Sequence, residues 1–395
     1  MPSPALDEQR LQQAIDLAHG AIGLSDPNPR VGCVIGREDG SVLGTGCTQH
    51  AGGPHAEVMA LRAAREAGHD LRGATAWVTL EPCAHHGRTP PCCDALIEAG
   101  LARVVAAGVD PFPQVSGAGL ARLRAAGISV DMGAAPLAAA ARQLNIGFFT
   151  RHERGTPWVR LKVAASLDGR TALDDGSSQW ITGAEARADG HAWRRRAGAV
   201  LTGIGTALAD DPRLDVRLVP TPLQPLRVVL DSTLRLPPTA RLLAPPGRAL
   251  VVCGGMNEPR ADALRAAGAE VIACAGGDGR IDLPALLLEL GRREVNELHI
   301  EAGATLNAAW LQAGLVDEVL AYIAPVLIGP GIGMAATPPL AALSLARRLR
   351  FIEARSVGSD LRVRLQPVGE GTSGKPVVEN LDIFTLWSST TSANH

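Results

Sequence analysis

Short runs of β-branched and aliphatic residues alternate with Ala-, Leu- and Arg-rich stretches along the whole chain, the signature of an α/β protein. In the first half the pattern predicts a strand over 76–80, a helix over 94–99 after a loop, and a strand over 103–107. A helix through 120–123, a strand over 128–130 and a helix over 136–144 follow. Each helix runs up to a Gly or Asn, as helix C-caps do. A polar stretch with Gly155 and Pro157, residues 151–157, separates this unit from a fresh strand at 158–163. It sets the predicted boundary between one domain over 1–150 and a second over 155–368. The second half alternates again, with strands predicted at 227–230, 249–252, 270–272, 298–300 and 318–322, and without a convincing internal repeat. Residues 369–395 hold a Gly-rich run and a Ser/Thr-rich end that bury little. They predict a mobile tail in which Ile383, Phe384, Leu386 and Trp387 dock only locally.

Composition narrows the function classes. With 395 residues, 46% hydrophobic and 20% charged, the chain can fill two ordinary cores and is too apolar to be disordered. A net charge of −2 and 3% aromatic residues provide neither a basic field nor stacking platforms, which disfavours nucleic-acid binding. Apolar runs such as that around Leu137 are short and interrupted by Arg142, so no membrane span is expected. The N-terminus reaches Asp7 and Glu8 at once, with no basic region leading into an apolar core, and predicts a cytoplasmic chain without a secretory signal. Seven cysteines are too sparse for a disulfide framework, and their spacing carries more than their number.

That spacing holds the sharpest chemical signal. His55-Ala56-Glu57 is followed, 26 residues after Glu57, by Cys83 with Pro82 before it, and then by Cys92 and Cys93. A lone His-x-Glu is usually a surface helix and a cytosolic cysteine usually core filler, but the conjunction resembles a zinc deaminase signature. Such chemistry needs three protein ligands that leave one coordination position open, and a carboxylate beside the metal that does not bind it. His55 and Cys83 with Cys92 or Cys93 supply the ligands, and Glu57 the proton-carrying carboxylate. Pro54 suits the first turn of a helix through Val58, Leu61 and Ala64, and the cysteines fall in a loop leading into the 94–99 helix. Successive helical residues diverge by about 100°, so only one of Cys92 and Cys93 can face the site.

The motifs Asp26-Pro27-Asn28-Pro29, His55-Ala56-Glu57 and the run from Glu81-Pro82-Cys83 to Pro90-Pro91-Cys92 together resemble the bifunctional pyrimidine deaminase/reductase family of riboflavin biosynthesis. The family spacing selects Cys92 as the third ligand. It implies that Asn28 holds the pyrimidine, even though Asp26 stands where the family usually has His. His86 and Arg88 either contact substrate or stabilise their own loop. The fold implied is an N-terminal cytidine-deaminase-like three-layer domain followed by a dihydrofolate-reductase-like domain.

In the second half, no Gly-x-Gly-x-x-Gly joins a strand to a helix. Gly203-Ile204-Gly205-Thr206 stops short and Gly329-Pro330-Gly331 sits in a turn, so a Rossmann domain is not supported. The strand, Gly turn and helix start over 298–310 offer free backbone N–H groups to a phosphate, although an ordinary βα connection would look the same. Residues 162–170, Ser178-Gln179-Trp180-Ile181-Thr182 and 209–214 extend the family resemblance over nearly the whole chain. It implies an NADPH site lined by Ala164, Trp180, Thr206, Asp210, Ser232, Gly303, Ala304, Thr305, Leu306 and Asn307. The implied substrate face is formed by Ser178, Arg194, Leu214, Arg217 and Glu301. Arginine forks suit a ribose phosphate, and Glu301 and Ser178 suit hydroxyls. Asp168 and Asp231 read first as turn or cap residues. Lys162 and Asp210 are candidates for assisting protonation or orienting the nicotinamide.

The implied activity is zinc-dependent hydrolytic deamination of a diaminopyrimidine ribosylamine phosphate. NADPH reduction of the opened ribosyl group at C1 follows. The expected partner is a small phosphorylated pyrimidine, composition predicts no nucleic-acid or membrane partner, and the family resemblance implies a homo-oligomer. Two other readings stand beside it: a nucleotide or transfer-RNA base deaminase with a degenerate second domain, and a nucleotide-binding module with a structural zinc.

Overall fold

The computed structural model describes residues 3–85, 90–112, 116–277 and 279–368. The tail expected at 369–395, and His86 and Arg88, lie outside the described residues. The chain divides into two compact units. The first runs to Trp158 and takes in Leu288–Asn296, and the second comprises Val159–Leu287 and the described residues from Glu297 on.

The first unit contains α1 (Pro4–Ala18), β1 (Gly32–Gly36), β2 (Val42–Cys47), α2 (Ala56–Glu66), β3 (Thr75–Val78), α3 (Cys92–Glu98), β4 (Arg103–Ala106), α4 (Ala118–Ala125), β5 (Ser129–Met132), α5 (Ala135–Leu144) and α6 (Ile146–Arg154). Its five-stranded sheet has the order β2-β1-β3-β4-β5, with β3, β4 and β5 parallel. The central strands are apolar on both faces because helices cover both. Cys33, Ile35, Ala76, Val78, Val104 and Ala106 pack with residues of α2, α3 and α4, while the intervening Val34, Trp77 and Val105 pack with α1 and α5. The period of two therefore builds the three layers. On β2, a Cβ on Gly44 would lie 2.3 Å from the Ala60 carbonyl and one on Gly46 2.5 Å from that of Ala56, so glycine lets α2 lie directly on the strand. That contact fixes the helix that carries Glu57.

Three local expectations need correction. Pro54 precedes the helix and is not in its first turn: α2 starts at Ala56 with His55 as its N-cap. Cys92 and Cys93 are not in a loop but are the first two residues of α3. The supposed breaker at 151–157 is helical as far as Arg154, because Phe148 and Phe149 of α6 are buried in the core and carry the polar end with them. Only Gly155, at φ +74°, stops the helix.

The second unit holds β6 (Trp158–Ser166), β7 (Arg170–Ala172), α7 (Ala184–Arg196), β8 (Ala199–Gly203), α8 (Ile204–Asp210), β9 (Leu226–Leu230), β10 (Ala249–Cys253), α9 (Glu258–Ala266), β11 (Ala269–Ala273), α10 (Leu283–Arg292, whose second half belongs to the first unit), β12 (Glu297–Glu301), α11 (Ala304–Gln312), β13 (Glu318–Ala324), β14 (Ile332–Gly333), β15 (Leu349–Val357) and β16 (Asp360–Pro367). Nine strands form one sheet in the order β11-β10-β9-β8-β12-β6-β13-β16-β15, parallel between β8 and its neighbours and antiparallel in the β15/β16 hairpin. The neighbours β8 and β12 lead onward in opposite directions, to β9 on one side and β13 on the other. The crevice beyond the carboxyl ends of two such strands is where open α/β sheets bind ligands.

An ionic cluster sits on this sheet. Arg160 of β6 is fully buried, stacks over Trp193 at 4.4 Å, and pairs with Glu297 at 2.8 Å and Glu318 at 3.3 Å. Burial alone would raise the Glu318 carboxyl, but Arg160 and Arg364 hold it down to about 2. Its stabilising contribution is therefore complete above the ordinary value of 4.5 and is lost as the pH falls from there towards 2. Replacing Arg160 by Met is expected to cost about 3 kcal/mol in denaturant unfolding at pH 7, the low end for breaking a buried pair. The low end applies because Arg196 still holds Glu297 at 2.9 Å and Arg364 still holds Glu318 at 2.7 Å. An unchanged midpoint would show that the cluster contributes no net stability.

Candidate functional site

Three sequence-distant segments bring His55, Cys83 and Cys92 together. His55 caps α2, Cys83 lies on the loop after β3, and Cys92 opens α3. One donor atom from each lies within 4.8 Å of the others. The His55 Nδ1 is 3.3 Å from the Cys92 Sγ and 3.6 Å from the Cys83 Sγ, and the Cys92 backbone N–H donates to the Cys83 Sγ at 3.3 Å. Hydrogen bonds from Cys92 and His55 hold the Cys83 thiol down to about 4, and the same contact pushes Cys92 up. One imidazole nitrogen and two thiol sulfurs at this spacing fit zinc.

Glu57 lies in the first turn of α2, 3% exposed, with its carboxyl against the Cys92 thiol. Burial first, and the Cys83 charge second, push it up to about 7. Cys93, the alternative ligand, is turned away: its thiol donates to the Pro82 carbonyl at 3.2 Å. Asn28 sits half-buried on a short turn, its N–H on the Ser25 carbonyl at 2.8 Å and its own carbonyl accepting from the Ser25 hydroxyl at 3.2 Å. Two residues on, the Asn145 side chain accepts from the Arg30 N–H at 2.7 Å and donates to the Arg30 carbonyl at 2.8 Å, like one rung of a sheet. The sequence reading missed this clamp, because its partners are 115 residues apart.

In the second unit, two helix starts expected at the cofactor meet. A Cβ on Gly203 would lie 3.0 Å from the Leu306 side chain, and one on Gly303 3.4 Å from the Thr206 hydroxyl. Asn307 is buried, donates to the Met334 carbonyl at 2.9 Å and keeps its Oδ1 without a hydrogen-bond partner. Asp210 ends α8, and burial raises its carboxyl. Ala164 lies on β6 opposite Tyr322, Ser232 follows β9, and Ala304 and Thr305 open α11. Trp180 is 68% exposed, with the Arg187 guanidinium stacked over its ring at 4.7 Å.

Of the expected substrate residues, Arg194 and Glu301 face each other directly. The guanidinium grips both carboxylate oxygens, at 2.5 and 3.0 Å, while Lys162 approaches at 3.7 Å and His299 at 3.4 Å. Although burial opposes it, Arg194 and then Lys162 keep Glu301 well below the usual carboxylate range. Arg217 pairs with Asp215 at 2.7 Å, Leu214 is buried at φ +52°, and Ser178 is half-buried. Asp168 behaves as the turn residue expected, accepting from the Ser166 hydroxyl and the Ile328 and Gly329 N–H groups.

Comparison with known proteins agrees with both units. Residues 4–108 match the cytidine and deoxycytidylate deaminase zinc-binding region, and residues 157–363 match the RibD C-terminal domain. The riboflavin biosynthesis protein RibD of Escherichia coli is 45% identical over 373 residues, 91% of this chain and 99% of its own length. The chain belongs to the RibD family. Among solved structures, RibD of Acinetobacter baumannii is 42% identical with a TM-score of 0.84, covering 93% of this chain and 100% of that one. The diaminohydroxyphosphoribosylaminopyrimidine deaminase/5-amino-6-(5-phosphoribosylamino)uracil reductase of Thermotoga maritima is 33% identical with a TM-score of 0.82, covering 92% and 99%. The family reading made from the motifs is thus borne out, with a cytidine-deaminase-like domain first and a RibD reductase domain second. No described helix is long and apolar enough to cross a membrane.

Proposed function

We propose that this chain carries out two consecutive steps of riboflavin biosynthesis. The first unit hydrolytically deaminates 2,5-diamino-6-(5-phosphoribosylamino)pyrimidin-4(3H)-one to 5-amino-6-(5-phosphoribosylamino)uracil. The second reduces the ribosyl group of that product to ribityl with NADPH. The observation that carries the reading is the cluster of His55, Cys83 and Cys92 beside the buried Glu57, on the same chain as a matched RibD reductase domain.

In this reading His55, Cys83 and Cys92 hold the zinc. Zinc, when bound, supplies a Lewis acid that makes water a nucleophile near neutral pH. Glu57 takes the proton from the attacking water and returns protons to the ring nitrogen and the departing ammonia. A buried carboxyl beside the metal ligands can both accept and give one. Asn28 holds the pyrimidine, and the Arg30–Asn145 clamp holds the turn that presents it. Replacing Asn145 by Ala is therefore expected to raise the KM for the pyrimidine about tenfold, equivalent to about 1.4 kcal/mol, with zinc content unchanged. An unchanged KM would separate the clamp from substrate binding.

In the second unit, the Gly203–Thr206 and Gly303–Asn307 turns receive NADPH, with Ala164, Trp180, Asp210 and Ser232 around it. NADPH, when bound, supplies the hydride. Ser178, Leu214, Arg217 and the Arg194–Glu301 pair face the substrate, and alignment is the protein's main task. A cytoplasmic setting is in keeping with the five cysteines outside the metal cluster, which remain thiols. A homo-oligomer is supported by the edge strand β15, where Phe351 is 52% exposed. Purified full-length chain given the diaminopyrimidine substrate and NADPH should release ammonia and oxidise NADPH in equal amounts. Ammonia without NADPH oxidation would leave the second unit without its role, and neither signal would overturn the reading.

A further inference from the structure

Glu81 is 3% exposed, and the deamination chemistry above makes no use of it. Its carboxylate accepts from four backbone N–H groups: Oε2 from Asp110 at 3.2 Å and Gly117 at 2.9 Å, and Oε1 from Gly119 at 2.8 Å and Leu120 at 3.3 Å. Three of these donors are the otherwise unpaired N–H groups at the start of α4, which has no cap from its own Gly117. The approach is tight enough that a Cβ on Gly119 would fall 1.9 Å from the Pro82 carbonyl. The next two residues are also pinned. The Pro82 carbonyl accepts from the Cys93 thiol at 3.2 Å, and the Cys83 carbonyl accepts from the Cys93 N–H at 3.2 Å. Glu81 itself donates its N–H to the Gly108 carbonyl at 2.9 Å.

We propose that Glu81 is the positioning residue of the metal centre: by locking its own backbone onto the start of α4 and the turn at Asp110, it fixes where the Cys83 sulfur points. The inference rests on the zinc reading given under Proposed function. Cys83 has no regular element of its own, since β3 ends at Val78 and α3 begins at Cys92. Its direction is set by what holds residues 81–83, and losing a group that orients a metal ligand typically weakens metal binding by about 10–100-fold. A glutamine cannot replace this carboxylate. It keeps one acceptor oxygen and turns N–H donors towards two of the four N–H groups.

The test uses full-length parent, Glu81→Gln and Glu81→Asp. Zinc affinity is read by competition with a chelating dye, and ligand geometry by the sulfur-to-metal absorption of the cobalt(II)-substituted protein. The parent should bind one zinc per chain. Glu81→Gln should bind about 10–100-fold more weakly with an altered cobalt spectrum. Glu81→Asp keeps the charge but is one methylene short of reaching all four donors, so it should fall between. Parental affinity and spectrum in Glu81→Gln would overturn the proposal even if its melting temperature fell, because Glu81 would then be only a helix cap. If Glu81→Gln does not accumulate, Glu81→Asp decides: intermediate affinity supports the proposal and parental affinity overturns it. A parent that binds no zinc would remove the zinc reading and this inference together, whereas equal binding by parent and variants removes only the inference.

Discussion

Replacing Glu57 by Gln is expected to lower the rate of ammonia release by about 10²–10⁴-fold, the range that a positioned proton carrier contributes. The amide has nearly the same shape and can still meet the Cys92 thiol, but it cannot accept a proton from water and return it. Glu57 is not one of the three residues whose donor atoms cluster, so zinc content should stay at the parental level. The melting temperature should be retained too, because the substitution removes a buried ionisable group without opening a cavity. Reduction of the deaminated intermediate should proceed at the parental rate. Full ammonia release in the variant would show that another group moves the proton, and loss of zinc with activity would make Glu57 part of the metal's support.

The second large effect is expected in the other unit. Glu301 faces Arg194, Lys162 and His299, and removing its charge leaves two cations without the carboxylate that balances them. Truncating one partner of a buried, hydrogen-bonded charge pair costs about 2–5 kcal/mol. Glu301→Gln should therefore lower kcat/KM for NADPH oxidation by about 30-fold to several thousand-fold while ammonia release continues unchanged. A variant that reduces substrate normally would assign Glu301 to the fold of the sheet. One that loses both activities would show that the substitution disrupts more than its own site.

The elements easiest to read in the sequence were those whose information is local. The His-x-Glu spacing, the Pro-Cys and the cysteine at a helix start identify a metal site because each residue's role is fixed by its near neighbours. The central strands were legible because both of their faces are apolar. The β1–β2 pair, Gly32, Gly36, Gly44 and Gly46 included, was not predicted, since its glycines serve close packing on helices and weaken the strand pattern. The β15/β16 hairpin was missed because β15 is an exposed edge with little apolar alternation. Long-range partnerships left no trace either. Nothing near Glu81 announces that its acceptors' partners lie at 110–120, and nothing near Arg194 announces Glu301, 107 residues on. Arg194 and Glu301 read separately as two substrate contacts, whereas the structure pairs them. The Pro54 and 151–157 readings failed because an N-cap and a buried aromatic pair outweighed local composition.

The central claim is that one chain carries two chemically independent sites, one dependent on a metal and the other on NADPH. The most direct measurement removes zinc from the full-length protein with a chelator and follows two assays in parallel: ammonia release from the diaminopyrimidine substrate, and NADPH oxidation with the already deaminated product. Ammonia release should vanish and return on adding zinc, while NADPH oxidation continues throughout. Ammonia release that survives complete removal of zinc, or NADPH oxidation that disappears with it, would contradict the account.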